Sequence, residues 1–286
     1  MSMTPVKSDQ SFLIKREGSK RPKGLNHLEL WSFFSTCFGF LIIFLAPSIT
    51  SNDAGELGAA AFELGIAHPP GFPVFTIVQN GLMQLIGFGE IAFRGNLGSA
   101  LWGAMALTVV LYTVRTRGVH RTEAWCCGLL AVCAPLFTVH AITIEVYAGA
   151  ALLSALSVEV LLRYLERDDV RYLFILAIIL GLGGLGHHPL LRLVGVSFAF
   201  FVLPKSGIRK GLLAFVIALG SGLLSLIYLP IRSSALPNRD WGSPRTPEAF
   251  KDHVLGQRIQ DSYGSDMLTW DLEVASELLN QLFQSS

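Results

Sequence analysis

Seven apolar stretches occupy most of the sequence between residues 29 and 229. They cover about residues 29–47, 96–115, 123–141, 146–165, 170–187, 189–204 and 209–229. A helix needs roughly 17–25 apolar residues to cross a bilayer, and its backbone polar groups must be satisfied within the segment. Charged residues make up only 15% of the chain, against roughly 25% in soluble domains. The sequence therefore predicts an all-α membrane protein with about seven transmembrane helices.

A further apolar stretch, residues 72–88, is short for a span and is flanked by prolines and glycines. Lys and Arg collect in the cytoplasmic loops of membrane proteins, and the N-terminal segment is basic. If 72–88 lies at the interface or re-enters, the basic loops 115–121, 163–171 and 205–210 fall on the same side as that segment. If it crosses, all three fall on the opposite side. The charge pattern thus predicts an interfacial or re-entrant helix within a first outer loop, residues 48–95.

This topology divides the chain into three parts. They are a cytoplasmic basic segment (1–28), a transmembrane domain (29–229) and an extracytoplasmic tail (230–286). The tail is rich in proline, and residues 269–284 have helical periodicity. The four cysteines all fall in apolar stretches, so no disulfide framework is expected.

Two acids and a histidine follow the first apolar stretch. Asp53 and Glu56 open an alanine-rich run, and His68 begins a His-Pro-Pro-Gly sequence. Charged groups near lipid are costly and usually have a function. In a functional interpretation Asp53 is a general base, Glu56 orients it or binds the acceptor, and His68 donates to a phosphate or a sugar hydroxyl. A structural interpretation stays open, with a capping box for the acids and a proline-stiffened break at the histidine.

Other polar residues fall on the same predicted face of the membrane. Ionisable groups at such positions are candidates for ligand contacts, and arginine can bind phosphate through two parallel hydrogen bonds. The candidate donor-binding residues are His68, Arg94, Glu145, Tyr147, His188, Arg192 and Arg232. Structural roles also stay open for these. An arginine at a helix end can reach the interface, an acid favours a helix start, and glycines before His188 permit close helix packing.

Several familiar motifs are absent from the sequence. It contains no P-loop, no Gly-x-Ser-x-Gly, no His-Glu-x-x-His and no Asp-x-Asp pair of the kind that holds a metal-bound nucleotide sugar. A nucleotide-linked donor is therefore disfavoured. No metal site is predicted and no cofactor is expected to be required, although Asp53 and Glu56 can hold a divalent ion. The formal net charge of +1 gives no reason to expect a nucleic-acid partner.

Six short motifs carry a resemblance to known enzymes. They are Asp-Ala-Gly-Glu-Leu (53–57), Leu-Gly-Ile-Ala-His-Pro-Pro-Gly (64–71), Arg-Gly-Asn-Leu (94–97), Glu-Val-Tyr (145–147), Tyr-Leu-Pro-Ile-Arg (228–232) and Trp-Gly (241–242). In this order they are similar to the polytopic glycosyltransferases that use polyprenyl-phosphate sugars. They most resemble a subfamily of bacterial multi-pass proteins and an animal transmembrane protein O-mannosyltransferase. The resemblance covers about residues 28–265. It departs at Gly-His-His-Pro (186–189), where a Gly-Asn-His type of sequence is expected.

The resemblance implies transfer of a sugar, with mannose favoured, from a polyprenyl phosphate to a hydroxyl of a protein or other acceptor outside the cytoplasm. The expected reaction is a single inverting displacement with Asp53 as base. The bacterial inner membrane is favoured over the endoplasmic reticulum, with a cytoplasmic N-terminus and the active face outside. Family members often continue further, which predicts a truncated tail. A transporter or flippase of a lipid-linked sugar and a non-catalytic membrane subunit remain alternatives.

Overall fold

The computed structural model describes residues 25–50 and 53–257. Regular structure in these ranges consists of eleven helices and one isolated β-bridge. The helices are α1 (His27–Ile43), α2 (Ala54–Glu63), α3 (Pro73–Leu85), α4 (Ile91–Thr116), α5 (Arg121–Val132), α6 (Pro135–Ile142), α7 (Val146–Arg167), α8 (Val170–Gly186), α9 (Leu190–Leu226), α10 (Tyr228–Ser234) and α11 (Pro247–Leu255). The predicted all-α class is thereby confirmed. Most of the predicted basic segment (1–24) and the periodic stretch 269–284 lie outside the described residues.

Three stretches of helix are long and apolar enough to cross a membrane. They are α4, α7 and the run Leu190–Ser234, and a fourth arises if α5 and α6, bent by 67°, form one span. The apolar helices α1 and α8 have 17 residues each. At about 1.5 Å per residue they reach roughly 25 Å, so they cross a hydrocarbon core of about 30 Å only together with their flanking residues. By length and composition, the described residues thus contain three to four candidate spans rather than seven.

The difference has two local causes. The predicted span 123–141 is interrupted, since α5 ends at Val132 and α6 begins at Pro135. Proline has no N–H to donate and tolerates a helix start better than a helix interior, so the chain bends there. The predicted spans 189–204 and 209–229 are counted together in the apolar run Leu190–Ser234, although the backbone leaves the helical conformation at Gly207. The stretch 72–88 forms the 13-residue helix α3, which at roughly 20 Å is too short to cross a bilayer.

The chain reverses direction within α9 at Gly207. Its backbone is non-helical there, with φ 72° and ψ 164°, a conformation that glycine adopts without a Cβ clash. Leu180 and Gly181 of α8 lie against Gly195 and Ala218, respectively. In a straight helix those two α9 residues would be about 34 Å apart, so both halves of α9 must run along α8. We therefore describe α9 as a hairpin of two helical arms, 190–206 and 208–226.

Buried amides fix the helices around the start of α7. Asn96 of α4 donates through Nδ2 to the backbone oxygens of Ala46 (2.8 Å) and Ser48 (3.0 Å), and its Oδ1 accepts from the backbone N–H of Ile144 (2.8 Å). Gln79 of α3 donates to the Gly95 oxygen at 2.7 Å. The segment after α1 and the start of α7 are therefore both held against α4.

We expect Asn96→Ala to destabilise the protein by about 3 kcal/mol, because one buried N–H and two partly buried carbonyl bonds lose their partner at once. Thermal unfolding in detergent measures the change. Asn238→Ala is the control, since the Asn238 amide makes an exposed 3.3 Å contact to Glu63 and should have little effect. Equal melting temperatures for Asn96→Ala and wild type would contradict this interpretation of the amide.

Candidate active site

Asp53 lies at the N-terminus of α2 but does not cap it with its side chain. Its backbone oxygen accepts from the Leu57 N–H at 2.8 Å, while the carboxylate makes no capping hydrogen bond. The side chain is 61% exposed. The capping-box interpretation was therefore wrong for this pair of acids, because the Glu56 carboxylate is bound to His68 instead. The Asp53 carboxylate remains accessible for chemistry.

Glu56 holds His68 through both of its carboxylate oxygens. The backbone N–H of His68 donates to Oε1 at 2.8 Å, and ring Nδ1 donates to Oε2 at 2.6 Å. Because a carboxylate accepts the Nδ1 proton, the ring tautomer is set and Nε2 is left to face elsewhere. Nε2 lies 3.9 Å from Asp53 Oδ2. Glu56 therefore orients the histidine, and the histidine faces Asp53.

The charges around His68 favour its protonated form. Burial alone lowers the pKa of His68, but the hydrogen bond to Glu56 and the charges of Glu56, Asp53 and Glu145 outweigh burial and raise the pKa above its usual value. A protonated imidazole has an N–H to donate at Nε2. The site can therefore offer a positively charged donor next to a carboxylate.

Glu145 brings a third carboxylate to the same place from the start of α7. It precedes Val146 and is only 7% exposed, and its backbone N–H points to Ser99 Oγ at 3.4 Å. Burial raises the pKa of Glu145 to about 7, and the charge of Asp53 adds to the rise, while His68 and the Val146 N–H oppose it. Glu145 can therefore exchange a proton near neutral pH.

Aromatic rings connect His68 to the loop between α8 and α9. Phe72 lies edge-on to His68 at 5.1 Å between ring centroids and stacks on His188 at 6.3 Å. Tyr147 of α7 contacts His188 at 5.1 Å. The predicted residues Asp53, Glu56, His68, Glu145, Tyr147 and His188 thus belong to one connected group. They come from α2, the α2–α3 loop, α7 and the α8–α9 loop.

The three candidate arginines are bound to backbone oxygens. Arg94 Nε donates to Gly89 at 2.9 Å and Arg192 Nε to Gly184 at 2.8 Å. Arg232 donates to Leu64 at 2.7 Å and to Glu63 at 3.2 Å, where it satisfies carbonyls at the C-terminus of α2. Within residues 25–50 and 53–257, no hydrogen bond or ion pair joins these arginines to Asp53, Glu56 or His68. Their donor-binding role stays a prediction.

Sequence comparison identifies the family. Residues 53–210 match the family described as the N-terminal domain of protein O-mannosyl-transferase TMEM260. The matched region starts at Asp53 and covers more than half of the chain. This chain belongs to the TMEM260 N-terminal domain family. The resemblance seen in the motifs is thereby confirmed at the level of the family.

Two curated relatives extend the likeness beyond that domain. The mouse protein O-mannosyl-transferase TMEM260 is 30% identical over 242 residues, which is 81% of this chain and 34% of the mouse protein. The Dictyostelium discoideum protein of the same name is 26% identical over 246 residues, which is 77% of this chain and 29% of that protein. The chain thus spans about a third of the length of these relatives. No solved structure matches.

Sequence reasoning did not place the tail beside the site of this TMEM260-family chain. The backbone N–H of Ile66 donates to Arg239 at 2.7 Å, and that of Trp241 donates to Ile66 at 3.2 Å. A Cβ at Gly65 would overlap the Arg239 carbonyl oxygen, so only glycine permits this approach. The Trp241 ring consequently lies 6.5 Å from His68. The Trp-Gly motif (241–242) was the signal in the sequence that this part of the tail matters. The motif did not indicate that the tail would lie against Gly65 and Ile66.

The sequence also assigned no role to His187, the residue that stands where the family resemblance leads one to expect the asparagine of Gly-Asn-His. The side chain is buried, and Nε2 lies 2.9 Å from the Val146 backbone oxygen. Phe75 and Trp102 flank its ring at 5.9 Å each. His187 thus links α8 to the start of α7, next to Glu145, and His188 is the histidine in contact with Tyr147.

Asp53, Glu56 and His68 are also the residues that could hold a metal ion. One ligand atom from each lies within 4.8 Å of the others, and two carboxylates with an imidazole form a donor set that suits a divalent cation. His68 Nδ1 is already paired with Glu56, so a cation would have to use Nε2 and Asp53. The sequence-based expectation is that none is required. If the chain transfers sugar as its motifs imply, that activity should continue in EDTA; activity lost on chelation and restored by Mg²⁺ or Mn²⁺ would contradict this.

Proposed function

We propose that this chain is a glycosyltransferase that moves mannose from a polyprenyl phosphate to a hydroxyl group of a protein. The family match and the names of the two relatives support the sugar and the protein acceptor. The observation that carries the proposal is the exposed Asp53 carboxylate, 3.9 Å from a histidine that Glu56 holds in place. An accessible carboxylate can take the proton of an acceptor hydroxyl, and a fixed cationic donor can bind an oxygen of a phosphate group.

The proposed reaction is a single displacement at the anomeric carbon. The acceptor oxygen forms a bond to that carbon while the bond from carbon to the phosphate oxygen breaks. Asp53 takes the hydroxyl proton, and the phosphate leaves with the bonding electrons. Because the acceptor attacks the face opposite the phosphate, the product has the inverted configuration. One base and one stabilised leaving group are sufficient, so the reaction needs no covalent intermediate between the sugar and the protein.

Cationic side chains are proposed to stabilise the leaving phosphate. Protonated His68 offers its Nε2 proton at the site. Arg94 and Arg192 each use Nε for a backbone oxygen, and their terminal nitrogens carry further donors with the geometry that phosphate requires. Arg232 anchors the turn before His68. Donors that meet developing charge on a phosphate oxygen lower the barrier more than they strengthen ground-state binding.

The proposed topology keeps seven crossings. They are α1, α4, the bent pair α5–α6, α7, α8 and the two arms of the α9 hairpin. Glu159 pairs with Arg117 and Arg163 at the end of α7 remote from Glu145. If that basic end faces the cytoplasm, Asp53 and Glu145 face outward. We infer an extracytoplasmic active face and a cytoplasmic N-terminus.

A transfer assay tests this function against its rivals. Membranes that contain the protein are given radiolabelled polyprenyl-phosphate mannose or a nucleotide-linked mannose, with an acceptor protein. We expect label in the protein from the lipid donor alone, with an anomeric configuration opposite to that of the donor. Movement of the intact lipid donor across vesicles without product would favour a flippase. Neither transport nor product would favour a non-catalytic subunit.

The pH dependence of transfer follows from the groups around His68. If the protonated histidine is required, activity falls as the pH rises through the pKa of His68. The Glu145 charge helps to raise that pKa, so Glu145→Gln should move the alkaline limb of the pH–rate profile to lower pH. Glu63→Gln, at the far end of α2, should leave the limb in place. An unchanged or alkaline-shifted limb in Glu145→Gln would contradict the electrostatic coupling.

A further inference from the structure

The short helix α11 packs against the part of the chain that carries His68. Phe250 and Val254 of α11 join the apolar cluster that contains Ile66. His253 lies on the same face of the helix and is only 3% exposed. The family match ends at residue 210, and the proposed reaction assigns no role to this histidine. A buried ionisable side chain beside the site therefore remains to be explained.

The His253 ring fills the space between two glycines from different motifs. A Cβ at Gly71 would lie 2.9 Å from His253 Nε2, and a Cβ at Gly242 would lie 2.9 Å from His253 Nδ1. Both distances are shorter than a van der Waals contact of roughly 3.5 Å, so the ring stands where side chains at these positions would be. One edge of the imidazole thus faces the His-Pro-Pro-Gly turn, and the other faces the Trp-Gly motif.

Gly71 is joined directly to His68. The backbone N–H of Gly71 donates to the His68 oxygen at 2.8 Å and closes the turn formed by residues 68–71. Glu56 accepts one hydrogen bond from the His68 backbone and one from its ring. Both bonds depend on the position of this turn relative to α2, because hydrogen bonds weaken steeply with distance and angle. A shift of Gly71 would therefore disturb the contacts that orient the imidazole.

The other edge of the ring faces the tail where it approaches the site. Gly242 directly follows Trp241, whose ring lies 6.5 Å from His68. Pro69, Trp241 and His253 also line one small cavity. The helix α11 thus contacts the turn that presents His68 and the segment that places an aromatic ring near it.

We propose that His253 is a positioning residue, with α11 acting as a brace that fixes the His-Pro-Pro-Gly turn against the Trp-Gly motif. His253 contacts no group that the proposed reaction changes, and it acts through Gly71. Its effect on catalysis rests on the proposed function, whereas its effect on the His68 imidazole does not. A misplacement of about 1 Å can cost about a hundredfold in rate, so partial release of the turn should cost about tenfold.

Two amide substitutions separate the two edges of the ring. The amide nitrogen of asparagine is as many bonds from Cβ as Nδ1 is, and that of glutamine is as many as Nε2 is. His253→Gln can therefore still reach Gly71, whereas His253→Asn reaches Gly242 alone. His253→Ala removes both contacts. Lys251→Ala is the control on the same helix, because Lys251 is exposed.

Transfer kinetics give the first measurement. We expect His253→Ala and His253→Asn to lower kcat about tenfold, with KM for the lipid donor little changed. The alkaline limb of the pH–rate profile should move to lower pH in these two variants. His253→Gln and Lys251→Ala should keep wild-type kcat and the wild-type limb. Wild-type kinetics in His253→Ala, or equal losses at every pH in the Asn and Gln variants, would overturn the proposal.

Titration of the His68 imidazole by NMR of labelled histidine tests the brace without a transfer assay. Loss of the signal in His68→Gln assigns it. The charges of Glu56, Asp53 and Glu145 raise the pKa of His68, so loosening the turn should lower that pKa. Loss of a positive charge at His253 itself would raise the pKa instead. The direction of the change therefore separates displacement of His68 from a direct charge effect.

The titration also distinguishes failure of the brace from failure of the function. A lowered pKa of His68 in His253→Ala and His253→Asn alone would support the brace even if no donor gives transfer. An unchanged pKa in both would overturn it even if transfer is lost. Thermal unfolding in detergent shows whether each variant is folded. If His253→Ala does not fold, the comparison of the Asn and Gln variants decides the outcome.

Discussion

Asp53→Asn is expected to reduce mannose transfer by about a thousandfold while the protein still inserts and folds. Asparagine has nearly the same shape as aspartate, but it cannot take a proton from the acceptor hydroxyl. General bases typically contribute about a hundredfold to ten-thousandfold to a rate, so the middle of that range is expected for the sole proposed base. The Asp53 side chain is 61% exposed and does not cap α2, so its replacement should not disturb the helix.

Single-turnover rates with saturating lipid donor provide the measurement, because they report the chemical step rather than product release. Asp168→Asn is the matched control. Asp168 is mostly exposed and adopts a left-handed backbone conformation (φ 54°) in the loop after α7, which asparagine also tolerates. It should retain wild-type turnover. Turnover by Asp53→Asn within tenfold of wild type would remove Asp53 as the base.

Glu56→Gln is expected to lower transfer by about a hundredfold, mainly in kcat. Glutamine has one oxygen and one NH2 group, so it cannot accept both His68 protons as the carboxylate does. The imidazole then loses a fixed tautomer and the strongest influence that keeps it protonated. Because Glu56 acts through His68 rather than on the substrate, we regard it as a positioning residue.

The pH profile distinguishes this role from simple damage to the fold. Loss of the Glu56 charge lowers the pKa of His68, so the alkaline limb of activity should shift to lower pH and some activity should return at mildly acidic pH. Glu63→Gln on the same helix is the control, since Glu63 is exposed and is not among the charges that shift the pKa of His68. A uniform loss of activity at every pH would indicate a structural role for Glu56 instead.

The sequence predicted the participants of the site better than their contacts. Asp53, His68 and Glu145 stand out because ionisable groups beside apolar stretches are conspicuous. The bond between Glu56 and His68 could not be foreseen, since it depends on the left-handed residue Leu64, which turns the chain back after α2. Equally, Arg232 reaches carbonyls at Leu64, 168 positions earlier. Such pairings follow from tertiary packing and leave no periodic signal in the sequence.

The membrane architecture was predictable in class and less so in detail. Apolar composition alone predicted an all-helical membrane protein. The bend between α5 and α6 had a visible cause in Pro135, but the apolar character of the whole stretch 123–141 conceals a break of two residues. The reversal at Gly207 was consistent with the basic residues at 205–210, and it separates the two predicted spans 189–204 and 209–229. In both places the local backbone conformation determines where the helix is interrupted.

The pairing of Ile66 with Asp240 determines how far toward the C-terminus a fragment must extend if its site is to stay intact. The matched family region ends at residue 210, yet the turn that presents His68 rests on a strip of chain some thirty residues further on. A fragment cut at the family boundary would lose Arg232, Trp241 and the backbone against which Gly65 lies. Expression designs, chimaeras and deletion series should therefore keep residues 25–257 together, which also retains α1 and the Ala46 and Ser48 carbonyls that Asn96 binds.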